Sequence, residues 1–411
     1  MKRKIGIVGA GPAGMTAAIA AAERGADVTL FEQKERVGNK ILVTGNGKCN
    51  LTNTNLKAEF YHGKHSEFAE TILRRFSLRE TIAFFTQIGI YTKNRNGGLY
   101  PHSEQASAVL DALRMELRRL NVNIQNNRRI TEIRRDDTNG FIVKDSEGRE
   151  EVFSRVILAA GSKASPKTGS DGSGYKLAKK MQISIIKPLP ALTQLRSCEH
   201  WFKGVSGVRC DAWLRLYANG EEIAEERGEL QLTDYGISGI PVFQLSGRAA
   251  KALDQGFETV VKIHFLPEFE GMQDKSYLSD FIADRFKNKD KTCEEALIGL
   301  FHKKLIAFFL REAGIRPQSP CDSLTQEKLL SLLEVITQCR VPIDRVNSFE
   351  HAQTCTGGID TAELDGNLQV KKIPGLYVAG EIMDIDGACG GYNLQWAWST
   401  GQIAGACAAD D

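Results

Sequence analysis

Little in this chain calls for a metal, a membrane or a polyanion. Its nine cysteines are odd in number, widely spaced and never form a C-x-x-C. That argues against a zinc ribbon or a thioredoxin-like dithiol and suits reduced thiols. His62 and His65 sit in a short polar loop without flanking acidic or cysteine ligands, so they read as surface residues and no metal is expected. No apolar run is long enough to cross a bilayer. Lysine and arginine total 53 against 51 acidic residues, a net charge of +2, which creates no field for nucleic acid. The basic pairs Arg74-Arg75, Arg118-Arg119, Arg128-Arg129 and Arg134-Arg135 are scattered and read as solvated faces. Internal repeats and low-complexity segments are also missing. The first strand begins almost at once, leaving no room for a signal peptide, and the expectation is a cytoplasmic protein. Oligomeric state is left open.

What is present begins with length: 411 residues, 42% hydrophobic and 25% charged, fit a globular protein of two or three domains. Residues 4–32 carry the strongest local signal. Ile5, Ile7 and Val8 form a short apolar strand, and Gly9, Gly11 and Gly14 follow it as G-x-G-x-x-G. The first glycine allows a sharp turn, the second lets backbone approach a pyrophosphate, and the third lets helix pack on strand. Pro12 suits a helix start, Ala-rich residues 13–24 suit the helix, and Gly25 suits its end. Val28 to Phe31 return as a strand that stops at Glu32, eighteen positions after Gly14. An acid there accepts hydrogen bonds from ribose hydroxyls and repels a 2′-phosphate. With strand, helix, second strand and acid all in place, a dinucleotide site is expected, without a choice between NAD and FAD.

Residues 36–53, RVGNKILVTGNGKCNLTN, hold three glycines among small polar residues, so backbone is expected to come close to a ligand. Ile41, Leu42 and Val43 suggest a packed loop. Lys40, Lys48 and the amides around Gly45 to Asn50 suit phosphate or flavin oxygens. Cys49 reads equally as a buried inert thiol or a reactive one. Residues 66–88 and 103–120 read as amphipathic helices, and residues 122–124, 129–134 and 141–144 as short strands. A buried strand at 156–159 leads into Ala160 and Gly161, small residues that let a cofactor lie across a strand end. Gly169, Gly172 and Gly174 then open a helix without repeating the first motif, so a separate nicotinamide site has no sequence signal.

Lys187-Pro188-Leu189-Pro190 marks a domain boundary. An inserted β domain is expected over 191–270 and a helical cap over 271–346, with helices at 296–313 and 324–336. Residues 1–190 and 347–411 would form one discontinuous Rossmann-type domain. Its last part repeats a strand followed by small residues, Gly375 to Glu381, then Asp384, the turn 387–391 and a helix from about Asn393 to Ala408. Amides from Gly391 through Tyr392, Asn393 and Leu394 would place a positive helix end beside a reduced flavin. Because an extended FAD needs one site for ADP and another for its ring, the two chain ends together favour FAD.

These motifs resemble the BaiN-like family of NAD(P)/FAD-dependent oxidoreductases along essentially the whole chain: GAGPAG at 9–14, TGNGKCNLTN at 44–53, SKASPKTGSDGSGY at 162–175, TDYGISGIPVFQLS at 233–246, TGGI at 356–359 and GLYVAGEIMDIDGACGGYNLQWAW at 375–398. The resemblance implies an α/β fold: a glutathione-reductase-like, Rossmann-type FAD domain with an inserted β domain and a small helical domain. It implies FAD contacts at Gly9, Ala10, Gly11, Pro12, Ala13, Gly14, Glu32, Gln33, Lys40, Thr44, Gly45, Asn46, Gly47, Cys49, Asn50, the backbone of Ile130, Ala160, Gly161, Gly380, Glu381, Asp384, Gly391, Tyr392, Asn393 and Leu394. Lys48 stands where the family commonly has Arg, and Asp234 and Ile240 replace a His and a Pro, so substrate identity transfers least.

The activity expected from that resemblance is NAD(P)H-driven reduction of an activated C=C bond in a bile-acid-like or other enone substrate, a small hydrophobic molecule. Tyr392, Asn393 and Cys389 are the side chains expected to face substrate. An amine oxidase of the aminoacetone type, producing hydrogen peroxide, is the second reading and a flavin-binding, non-catalytic module the third. RNA modification is disfavoured by the near-neutral charge.

Overall fold

The computed structural model describes residues 2–136, 140–269, 277–288 and 290–410. In chain order the elements that position the site are β1 (Lys4–Val8), α1 (Pro12–Glu23), β2 (Asp27–Phe31), β3 (Asn123–Gln125), β4 (Arg155–Leu158) and α2 (Ser173–Lys180). There follow β5 (Leu195–Arg196), β6 (Arg209–Ala218), β7 (Glu221–Thr233), β8 (Gly236–Ser238), α3 (Ile240–Asp254), β9 (Thr259–His264), α4 (Lys303–Glu312), α5 (Gln326–Thr337), β10 (Cys339–Pro342) and β11 (Arg345–Val346). The chain closes with β12 (Leu376–Val378) and α6 (Tyr392–Asp410). It divides into two compact units, one running up to Pro190 and resuming at Phe349, the other spanning Ala191–Ser348.

The first unit is a Rossmann-type α/β layer. Its parallel sheet has the order β12-β4-β1-β2-β3, with Ile7 opposite both Leu30 and Ile157. Ile5, Ile7, Leu30, Val156, Ile157 and Leu158 are all buried, as strands covered on both faces require. One cover is the pair α1 and α6, which approach closely because glycines face backbone. A Cβ at Gly405 would lie 2.2 Å from the Ala17 carbonyl oxygen, and one at Gly401 2.4 Å from that of Ala13. The expected helix over 66–88 is two helices, Glu67–Arg75 and Leu78–Gln87. Ser77 caps the second by accepting from Arg79 N while Glu80 accepts from Ser77 N, which satisfies amides at the break.

The second unit is built on an antiparallel sheet of order β10-β9-β6-β7-β8-β5-β11. Along β6, Ala212, Leu214 and Leu216 point inward and share a core with Val261, Leu305, Phe309 and Leu332. The β domain expected at 191–270 and the helical cap expected at 271–346 both fall within this one unit. The helices bury their apolar faces on the sheet, and β10 and β11, which follow them in the chain, return to it through Ile263 opposite Cys339 and Leu195 opposite Val346. The boundary expected at 270/271 lies outside the described residues. The helix expected over 296–313 is interrupted: Cys293–Leu297 ends and Lys303–Glu312 restarts after His302, whose ring nitrogen accepts from Lys304 N. Among the described residues no helix is long and apolar enough to cross a membrane.

Candidate functional site

The carboxyl ends of β1, β2, β4 and β12 converge in the first unit. After β1 the chain turns at Gly9, whose φ is +103°. A Cβ there would lie 2.4 Å from Ala159 O, and one at Gly14 only 1.8 Å from Gly9 O. Gly11, by contrast, faces open space: nothing among the described residues lies within 4 Å of where its Cβ would be. The turn is thus pressed onto the end of β4 at Gly9, onto α1 at Gly14, and left clear at Gly11, where α1 begins with Pro12 and the free amides of its first turn. Glu32, at the end of β2, is 9% exposed and accepts from Ala10 N at 3.2 Å and Lys34 N at 2.8 Å. Burial pushes its carboxyl above the ordinary value, against the pull of those two amides. Gln33 donates its side-chain amide to Gly169 O.

The second loop reaches the same place from the other side. Gly38 is left-handed at φ +75°, a short helix follows over Asn39–Val43, and Gly45, Asn46, Gly47 and Cys49 are all left-handed. Ile41 is buried, whereas Leu42 and Val43 are exposed, so the expected packed triplet reduces to one anchor. The lysines expected to face phosphate or flavin oxygens each have an acidic partner, which for Lys40 is another of the expected FAD contacts. Lys40 Nζ lies 2.5 Å from Glu381 Oε2, both side chains mostly buried, and Lys48 pairs with Glu104 at 3.2 Å. Cys49 is fully buried, and burial pushes its thiol up to about 12. A thiol so protonated is inert near neutral pH. Thr44 donates to Ile41 O and holds the loop's start.

The chain's last segment locks onto that loop. A Cβ at Gly391, φ +100°, would lie 2.9 Å from Asn50 Oδ1 and 2.8 Å from the Thr52 carbonyl. Trp398 Nε1 donates to Leu51 O, and Asn53 donates to Gly390 O. Asn50 Oδ1 and Thr52 Oγ1 are buried there without a hydrogen-bond partner among the described residues. Gly380, after β12, donates its N–H to Thr400, and a Cβ on it would stand 2.7 Å from Ala13 Cβ. Asp384 is buried and accepts from Lys64 N at 2.8 Å. Ala160 and the left-handed Gly161 end β4, and Ile130 is buried at the start of the strand Ile130–Arg135.

The three side chains expected to face substrate divide. Tyr392 is 5% exposed, its hydroxyl donates to Asn55 O at 3.1 Å, and its carbonyl accepts from Tyr61. Asn393 accepts from Gly387 N and donates to Gly387 O and Ala388 O. Both therefore brace the entry to α6. Leu394 is 9% exposed, and Cys389 is half-buried in the same entry. Sequence reasoning missed Tyr175, whose buried hydroxyl has no hydrogen-bond partner among the described residues and lies in the field of Cys355, Glu381 and Asp384. It also missed Ser162, which donates weakly to Glu381 at 3.4 Å. No spacing rule marks either residue. His65, read as a bare surface residue, lies 3.6 Å from both Glu67 and Asp360.

Clear ground over Gly11, a buried acid at Glu32 and orphaned polar atoms at Asn50 and Thr52 fit an extended dinucleotide: one end at β1–α1, the other at α6. The model of the HI0933-like protein Rossmann domain matches residues 3–407. The chain belongs to this HI0933-like family. Over 410 residues, 99% of each chain, it is 44% identical to the 3-dehydro-bile acid delta(4,6)-reductase of Clostridium scindens. It is 28% identical to the ribosomal RNA dihydrouridine synthase of Escherichia coli, covering 98% of this chain and 96% of that one. Among solved structures, 3-ketosteroid delta1-dehydrogenase from Sterolibacterium denitrificans shares the HI0933-like chain's fold, with a TM-score of 0.50 at 12% identity over 99% of this chain and 100% of that one. The family match agrees with the resemblance carried by the chain's motifs.

Proposed function

We propose that this chain is an FAD-dependent oxidoreductase that reduces a carbon–carbon double bond conjugated to a carbonyl, with NAD(P)H as reductant and a bile-acid-like enone as substrate. The observation that carries the reading is the 44% identity, end to end, with a 3-dehydro-bile acid reductase. A second relation supports the bond type. Making dihydrouridine saturates an alkene beside a carbonyl, the same chemical class as a 3-oxo-4-ene, and that relative too is matched along nearly its whole length. The near-neutral charge of this chain keeps a small hydrophobic molecule ahead of RNA as substrate.

FAD, when bound, supplies hydride transfer between nicotinamide and substrate. The chain's own residues hold it. Amides at the start of α1 would take the pyrophosphate, Glu32 would accept from ribose hydroxyls, and Asp384 and Glu381 would be available to the polyol chain. Amides of Tyr392, Asn393 and Leu394 at the start of α6 favour negative charge beside them. The orphaned Asn50 and Thr52 side chains would gain a partner from it. Tyr392 and Asn393 keep the α6 entry rigid, so those amides do not have to reorganise when charge builds.

The test is an anaerobic titration of the purified protein with NADH and then NADPH, following the oxidised-flavin band, before addition of a 3-oxo-4,6-diene bile acid. Bleaching followed by recovery of the band on addition of the enone is expected. Flavin that ignores NAD(P)H but bleaches with an amine such as aminoacetone, and yields peroxide once oxygen is admitted, would replace this reading with the oxidase. A flavin that neither donor reduces would leave a non-catalytic module. No flavin after reconstitution would overturn the cradle.

A further inference from the structure

We infer that Arg129 is a positioning residue that latches a strap over the adenosine half of the cradle and so sets how fast FAD leaves. The inference rests on reading the cradle as an FAD site. The strap is residues 161–172, the segment between β4 and α2. At one end it leaves β4 directly and is closed on its own start: Gly172 N donates to Ser162 O, and Ser170 Oγ donates to the same carbonyl at 3.0 Å. At the other it docks on the residues that follow β2. Gln33 donates to Gly169 O, and a Cβ on Gly169 would lie 3.3 Å from Lys34 Cγ and 3.6 Å from Glu32 Oε1.

Sheet order gives those two anchors their meaning. β1 lies between β4 and β2, so a segment fixed to the ends of both strands crosses the carboxyl edge of β1, where the G-x-G-x-x-G turn is. The Glu32 carboxylate stands beside Gly169 of the strap, 3.6 Å from where a Cβ there would be.

Arg129 ties the docked end. Its guanidinium donates to Gln33 Oε1 at 2.9 Å and pairs with Asp171 Oδ2 at 2.9 Å, while Asp171 Oδ1 accepts from Ser173 N at the start of α2. One planar side chain thus grips the β2 end and the strap together, a geometry that lysine's single ammonium does not reproduce. Arg128 N donates to Glu32 O, which fixes the backbone beside Arg129 to the acid itself. Releasing the adenosine end would require this grip to open, so the latch acts on departure rather than on chemistry.

The measurement is the rate at which bound FAD dissociates from the intact holoprotein, read as flavin fluorescence recovered on a large dilution that makes rebinding negligible. Arg129 and Asp171 are partly exposed, at 47% and 27%, so a modest effect is in order: about a fivefold faster release in Arg129→Ala, as for a partly exposed ion pair. Asp171→Asn keeps an acceptor for Ser173 N and removes the charge, and the same acceleration is expected, with no further gain in the double variant. Arg129→Lys should restore part of the retention. Raising ionic strength should speed release from the wild type but not from Arg129→Ala. Equal release rates in wild type and Asp171→Asn would overturn the latch, even if Arg129→Ala fails to fold. A wild-type protein that binds no FAD would instead overturn the cradle reading, and the latch with it.

Discussion

Glu32 serves two opposed ends. Without a ligand its carboxylate is almost fully buried, and the cost of burying charge outweighs the pull of the Lys34 and Ala10 amides, leaving its pKa above the ordinary 4.5. A carboxyl raised in the folded state stabilises the fold fully below its unfolded pKa, and that contribution is lost as pH rises through the raised folded value. At pH 7 FAD-free protein would therefore carry Glu32 as a burden, which ribose hydroxyls bound as proposed would relieve. Replacing Glu32 with Gln is expected to raise the melting temperature of FAD-free protein at pH 7 and to flatten the decline that sets in as pH rises above 4.5. The same change should weaken FAD binding by about tenfold to a hundredfold, the ~1.5–3 kcal/mol of hydrogen bonds to a charged acceptor. Thermal melts of stripped protein and a fluorescence titration with FAD check the two halves, and a variant that moved both in one direction would contradict the assignment. The place of Glu32 at the end of β2 was legible because everything defining it lies within one strand–turn–helix–strand run. The partners of Tyr392 and Asn393 were not. Whether a side chain faces substrate or braces a loop depends on its partner, and the partner of the Tyr392 hydroxyl is the Asn55 carbonyl, 337 positions away.

Among the elements, the contact between α1 and α6 has least room to give. Both helices are apolar nearly all round, Ala17 and Ala404 are fully buried, and Gly405 sits so that any side chain meets the Ala17 carbonyl. Gly405→Ala therefore has to separate the helices or distort one of them, at about 1–3 kcal/mol for overpacking. Because α1 and α6 begin at opposite ends of the cradle, the shift should also weaken FAD. Urea midpoints should fall with an unchanged m-value, and an Ala at 405 that left both stability and FAD affinity intact would show that the pair is not close-packed. The helices themselves were readable from apolar periodicity, but their breaks were passed over. Residues 77–80, SLRE, and 292–295, TCEE, each carry the S/T-x-x-E signature of a helix start, and both form capping boxes. The strands β10 and β11 had no such local mark. Their place is fixed by pairing with β9 and β5, far back in the chain.

At the scale of the molecule, the second unit is an insertion whose entry and exit strands are neighbours. β5 and β11 run antiparallel with Arg196 opposite Arg345, and Asn347 N donates to Gln194 O at 2.9 Å. A chain that leaves and returns through one antiparallel pair can be closed by a two-residue hairpin turn in place of everything between. The sequence marked the way out through Lys187-Pro188-Leu189-Pro190, since prolines interrupt a helix and suit an extended crossing, yet residues 185–191 are themselves a strand. Every side chain and amide assigned to FAD lies before Pro190 or after Phe349. So replacing residues 197–344 with Asn-Gly should leave a folded first unit that still takes up FAD, with a Kd within about tenfold of the full chain's, a difference of ~1.4 kcal/mol. Equilibrium dialysis with FAD and a far-ultraviolet spectrum decide it. A folded product without flavin would mean that the insertion holds the cofactor, and the cradle would then have to be sought on both units rather than at the ends of β1, β2, β4 and β12.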